Sequence, residues 1–265
     1  MGRRSGGLFL LGVGTLGPRE AATARVYWAM AVGMAAALAW FVLAAEVGRP
    51  GAGVQCASPG WPWPFAWWWG AAVVGVGFVF GALEAQRLRP DGAAPSSSRG
   101  VLLASAAAST IMMLVAVRAV GRGYRALYGA PLEGGPSSMA GVLWLALPLA
   151  ATVLLHEACH LAVFRLFGVP SRLRVVLWPR LVVATEFDGR ETPFGVLAVS
   201  LMAPMVALTI LGFALMAEPA LAPWTAWAVA ANWAGSVPDL GRLAVLVAEV
   251  SLRKGVGHGG APATS

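Results

Sequence analysis

Six stretches of this chain are apolar for twenty residues or more, on every face a helix could present, and that pattern leaves few ways to fold in water. They lie near residues 26–47, 62–83, 100–119, 141–164, 194–216 and 224–250. As helices rising 1.5 Å per residue, each is long enough to cross about 30 Å of hydrocarbon. The rest of the composition agrees. The chain of 265 residues is 58% apolar and 12% charged, about half the charged fraction of an average soluble domain. Too few polar side chains remain to cover a water-soluble globule, and the same composition excludes a disordered chain and a fibre. The expected class is an all-α polytopic membrane protein of about six transmembrane helices.

Charge sets the expected orientation. The net charge is +7, and all basic residues except Lys254 are arginine. With the N-terminus inside, about fourteen Lys and Arg fall on the cytoplasmic side and four outside, as the positive-inside rule requires. Both termini are then cytoplasmic, in a bacterial plasma membrane suggested by the Arg, Ala and Gly bias. The arginines sit in gaps between apolar runs and form no basic stripe, which excludes nucleic acid as the partner. The expected partners are the lipid bilayer and a membrane-embedded or membrane-adjacent protein. Cys56 and Cys159 cannot form a disulfide framework.

The connecting segments are short. Residues 1–25 read as an uncleaved cytoplasmic tail, although Leu8 to Leu16 and Ala22 to Ala24 faintly resemble a secretory signal. Trp61 to Trp69 reads as an interfacial aromatic belt, residues 90–99 as a loop and residues 255–265 as a disordered tail. Arg118 to Tyr128 is basic on the outer side and reads as an interfacial helix, with Tyr124 and Tyr128 at headgroup level. Between the fourth and fifth spans, Leu173 to Leu177 and Leu181 to Thr185 are β-prone, with Trp178-Pro179-Arg180 able to turn, so a small cytoplasmic hairpin is expected. Residues 26–140 thus form a three-helix region and residues 141–254 a second unit.

Ionisable groups within spans are costly, so each is a functional hypothesis. Arg118 and Glu249 lie near span ends and can snorkel. Arg242 lies deeper and needs a partner or water. The others are His156, Glu157, His160 and Asp239. The run His156-Glu157-Ala158-Cys159-His160 is H-E-x-x-H, which puts two imidazoles one helical turn apart on one face. Such a pair can hold one Zn²⁺, while the intervening glutamate reaches the metal-bound water as general base. The bland alternative is a buried His–Glu–His network that ties helices together.

A catalytic zinc site takes three protein ligands and keeps one position open. Of the other candidates for the third, His258 lies in the tail, and Cys159 reads as a small packing residue. Asp239 is the strongest. It follows Asn232 and Ser236 at i, i+4 and i+7 on one helical stripe, with Gly235 and Pro238 loosening the helix. The alternative is that Asp239 pairs with Arg242, its i+3 neighbour. His160 lies five residues before Arg165, which puts the site about 8–14 Å beneath the cytoplasmic interface. Water could enter from that side, and an edge of the hairpin could take an extended peptide by β-addition.

The embedded H-E-x-x-H, the strand-like insert, Met202-Ala203-Pro204, and Asn-x-x-x-Ser-x-x-Asp in the last span together resemble the putative zincin peptidase family. Those bacterial membrane proteins are distantly similar to the site-2 protease intramembrane metalloproteases. The resemblance covers residues 141–254. It implies His156, His160 and Asp239 as zinc ligands and Glu157 as catalytic base. It also implies Asn232 as a residue that positions substrate or stabilises an oxyanion, with Ser236 and Pro238 in support. The expected function is a zinc-dependent intramembrane peptidase acting near the cytoplasmic face. Its rival is a non-enzymatic membrane zinc protein, a regulator or assembly factor with a structural metal. A transporter is a weaker reading, because no inverted repeat is present.

Overall fold

A computed structural model describes residues 18–47, 68–87, 98–132, 139–176, 182–187 and 192–257. Most of the expected N-terminal tail, most of the tryptophan belt, the 90–99 loop apart from its last two residues, the hairpin turn and His258 lie outside the described residues. The described residues form seven helices and one hairpin. They are α1 (Pro18–Val47), α2 (Trp68–Arg87), α3 (Ser98–Tyr128), α4 (Met139–Leu166), β1 (Ser171–Val176), β2 (Val182–Phe187), α5 (Phe194–Leu215), α6 (Ala222–Gly235) and α7 (Val237–Gly257).

Four described stretches are long and apolar enough to cross a membrane: Trp69–Arg87, Leu103–Tyr128, Leu145–Leu166 and Phe194–Leu215. A shorter apolar stretch, Ala24–Trp40, lies within α1. This is a helical membrane protein, and its large apolar side chains outside the core, such as Trp40, Leu147 and Ile210, are exposed on helix faces. The expected sixth span is two helices. α6 is only 14 residues long, and α7 carries Asp239, Arg242, Glu249, Arg253 and Lys254. The cause is local. Pro238 has no N–H to give to the carbonyl of Ala234, four residues back, and that oxygen accepts the Ser109 hydroxyl of α3 at 3.0 Å.

α1, α2 and α3 pack together around Met30, Met34, Val73, Met112 and Val115, all buried. This group backs the later helices. α3 lies against α6, and both α1 and α2 lie against α7. Gly241 of α7 permits one close approach, because a Cβ there would collide with the ring of Tyr27 in α1. The expected interfacial helix at Arg118 to Tyr128 is the unbroken end of α3. Its tyrosines face protein. Tyr124 is buried, and the Tyr128 hydroxyl donates to the carbonyl of Phe213 at 2.6 Å, one of the last-turn oxygens that α5 cannot satisfy itself.

α4 stops where Gly168 takes φ +71°. The amide of Gly168 bonds Arg165 O and that of Val169 bonds Phe164 O, a Schellman termination that favours glycine. The chain then enters β1, which pairs antiparallel with β2 from Ser171↔Phe187 to Val176↔Val182. The hairpin is therefore present, shifted by one or two residues from the sequence expectation. Phe187 stacks on Phe164 of α4 with ring centroids 4.3 Å apart, which lays β2 along the helix that carries the H-E-x-x-H run.

Candidate metal centre

His156, Glu157 and His160 lie in the second half of α4, and all three are buried. The imidazole centroids are 5.0 Å apart and edge-on at 76°. Asp239, in the first turn of α7, is fully buried beside them. Its Oδ2 lies 3.0 Å from His156 Nε2 and 3.4 Å from His160 Nε2. Chain segments about eighty residues apart thus converge on one point.

The far side of each imidazole decides what the near side can do. His156 Nδ1 is 2.9 Å from Asn232 Oδ1. The Asn232 amide is oriented by its own Nδ2, which donates to the carbonyl of Pro204 at 3.0 Å. His156 Nδ1–H is therefore the donor, which leaves Nε2 as the nitrogen turned to Asp239 and, in the neutral ring, as the one with a lone pair. His160 repeats the arrangement. Its Nδ1–H donates to the carbonyl of Ser200 at 2.9 Å, with the Ser200 hydroxyl at 3.3 Å. That carbonyl is available because Pro204, four residues on in α5, has no N–H to occupy it.

Two imidazole Nε2 atoms and a carboxylate oxygen thus face one another in a buried space. Among the described residues, His160 Nε2 and Asp239 Oδ1 have no hydrogen-bond partner. With the imidazoles neutral, such acceptors repel unless a metal ion or a proton lies between them. Tetrahedral zinc ligands at 2.0–2.2 Å from the metal stand about 3.3–3.6 Å apart, a range that holds the 3.4 Å from Asp239 to His160 and lies a little above the 3.0 Å to His156. His156, His160 and Asp239 therefore fit a metal ion, and Asn232 and Ser200 supply the outer hydrogen bonds that metal-binding histidines require. His156, Glu157 and His160 also present ligand atoms within 4.8 Å of one another.

Glu157 is held differently. Its Oε2 accepts the backbone N–H of Thr185 at 2.8 Å and the Thr185 hydroxyl at 3.0 Å, and the same hydroxyl lies 3.0 Å from the Glu157 carbonyl. No bond joins Glu157 to either histidine among the described residues, so the glutamate is not part of a His–Glu–His tie. Glu157, His160 and Asp239 line a cavity of about 280 Å³ together with Thr185, Phe187 and residues of α5 and α7.

The remaining expected residues fall as follows. Asn232 is buried against His156, with both ends of its amide engaged. Ser236 is buried at the junction of α6 and α7, where its hydroxyl donates to Asn232 O at 2.8 Å. Pro238 opens α7 one residue before Asp239. Asp239 makes no ion pair with Arg242 among the described residues; its partners are the two histidines. Cys159 is a partly exposed free thiol. Sequence reasoning assigned no role to Ser200 or Thr185. A proline inside a helix signals a free carbonyl four residues earlier, and that rule finds Ser200. Nothing in the pattern of a short strand finds Thr185.

Helices apolar enough for a membrane are thus joined to a buried H-E-x-x-H group, with an aspartate beside it, that could hold a metal ion. Residues 149–250 match the model of the family described as putative zincin peptidase, the family that the motifs resemble. The match spans α4 from Leu149 through most of α7 and so contains every residue of the centre. No curated protein and no solved structure matches the chain.

Proposed function

We propose that this protein is a zinc-dependent intramembrane peptidase that cleaves a membrane-embedded or membrane-adjacent protein near the cytoplasmic face. One observation carries the reading. The Nε2 atoms of two imidazoles and a carboxylate oxygen converge on one buried point, with a second carboxylate beside them on the wall of a cavity. His156, His160 and Asp239 would hold the zinc. When bound, the metal supplies Lewis acidity, which acidifies water to a pKa of about 7 and polarises a peptide carbonyl.

The rest of the chemistry belongs to the chain. Thr185 holds Oε2 of Glu157, so Oε1 is the oxygen left to take a proton from the attacking water and pass it to the leaving amine. Asn232 and Ser200 keep both histidines in the tautomer whose Nε2 can ligate. Burial of the centre excludes bulk water. The cavity receives the segment to be cut, and a helical substrate must unwind locally to expose its carbonyl. The two-strand hairpin supplies an edge along which that unwound segment can run. Both termini then lie in the cytoplasm, as the arginine distribution favours.

The test is Glu157→Gln, which keeps an acceptor for Thr185 and loses the base. It should retain the metal of the wild type and lose turnover of any peptide or protein the wild type cleaves. Cleavage by this variant at the wild-type rate would refute the mechanism.

A further inference from the structure

The cavity beside the metal centre is apolar on most of its wall, with Phe164, Phe187, Leu197, Leu201, Val245 and Leu246 in its lining. It also contains one cationic side chain, Arg242. That arginine is in an unusual position. Its nearest acidic neighbour along α7 is Asp239, whose Oδ2 is turned to the two histidine Nε2 atoms and makes no ion pair with Arg242 among the described residues. The other carboxylate on the wall, Glu157, is bonded to Thr185. Among the described residues Arg242 has no ion pair and no hydrogen bond. A half-buried guanidinium on an apolar wall is costly without a counter-charge, and among the described residues none pairs with it.

We propose that Arg242 makes this cavity a substrate subsite for an apolar residue that carries or adjoins a carboxylate. The inference rests on the peptidase reading and names the class of segment that the centre accepts. At about 280 Å³ the cavity is below the usual range of whole-ligand pockets and suits one or two side chains. The aromatic and aliphatic wall takes the apolar part. The guanidinium pairs with the carboxylate in the fork geometry that arginine offers. The carboxylate has two sources, an Asp or Glu side chain within the segment or the free C-terminus of the substrate.

The experiment uses the full-length zinc-loaded protein in detergent, in the Glu157→Gln background so that binding is read without turnover. The probes are fluorophore-labelled peptides of one apolar sequence in three forms: a neutral form with Gln and a C-terminal amide, an internal-Glu form with a C-terminal amide, and a Gln form with a free C-terminus. Anisotropy titrations give the affinities. At least one acidic form should bind about tenfold or more tighter than the neutral form, and which one does identifies the source of the carboxylate. Arg242→Gln should abolish that preference at unchanged zinc content, and Arg242→Lys should keep part of it. Equal affinities for all three forms, no binding of any form, or a preference that survives in Arg242→Gln would each overturn the proposal. The comparison among peptides needs no variant at position 242, so misfolding of that variant does not block it. Cleavage of the same peptides by the wild type separates the two claims. Cleavage without acid preference removes the subsite and leaves the peptidase. Acid preference without cleavage of any peptide removes the peptidase and leaves an anion-binding cavity.

Discussion

The carbonyl of Ser200 accepts the Nδ1–H of His160 at 2.9 Å because Pro204, four residues later in the same helix, has no amide hydrogen to give it. The proline also presents its own carbonyl to the Asn232 amide, which in turn orients His156. One residue in α5 thus sets both imidazoles of α4. Pro204→Ala restores an N–H that competes for Ser200 O. Zinc affinity, read by competition with a chromophoric chelator, should fall about tenfold or more with helix content preserved. An unchanged affinity would mean that the Ser200 bond does not orient the ring.

Asn232 gives a parallel case. Asn232→Ala removes the acceptor for His156 Nδ1–H and leaves that donor buried. Zinc affinity should fall by about 10- to 100-fold, the usual cost of losing an outer-shell partner. Asn232→Asp keeps an acceptor and loses the bond to Pro204, so its affinity should lie between those of the alanine variant and the wild type. If alanine binds as tightly as asparagine, the side chain faces substrate instead of supporting the ligand.

Glu157 and Thr185 couple the base to the hairpin. Thr185→Val keeps the shape and the backbone bond to Oε2 but loses the hydroxyl. Losing hydrogen bonds to a buried charged group costs about 1–3 kcal/mol, concentrated where β2 meets α4. Amide exchange in β2, followed by mass spectrometry, should therefore quicken in Thr185→Val and more in Glu157→Ala, and stay near wild type in Glu157→Gln. Uniform exchange across all four proteins would show that the hairpin is held by other contacts, such as Phe187 on Phe164.

These residues also mark what the sequence made legible. The helical membrane character and the pairing of His156 with His160 follow from length, hydropathy and the i, i+4 rule, which are local properties. Asp239 stood out because a carboxylate in an apolar run demands a partner. Its partner proved to be the histidine pair, not Arg242 one turn away, and that choice depends on packing across α4, α6 and α7. The division of residues 222–257 into two helices was hidden because apolar character continues past the break. Gly235 and the missing N–H of Pro238 mark it, and a serine of α3 meets the carbonyl thus freed. Tyr124 and Tyr128 beside arginines resemble an interfacial belt. The Phe213 carbonyl that Tyr128 satisfies is 85 residues away in sequence, beyond any local rule. The hold of Thr185 on Glu157 is likewise a tertiary fact, since one face of a strand looks much like the other before it docks.

The central claim is that His156, His160 and Asp239 form one metal site. Its most direct test is the zinc content of the detergent-purified protein, measured for the wild type and for His156→Ala, His160→Ala and Asp239→Ala. The account predicts about one zinc per wild-type chain, lost or strongly weakened in each variant while helix content remains. A well-folded wild type without zinc after metal loading, or an Asp239→Ala variant that binds as tightly as the wild type, would contradict it.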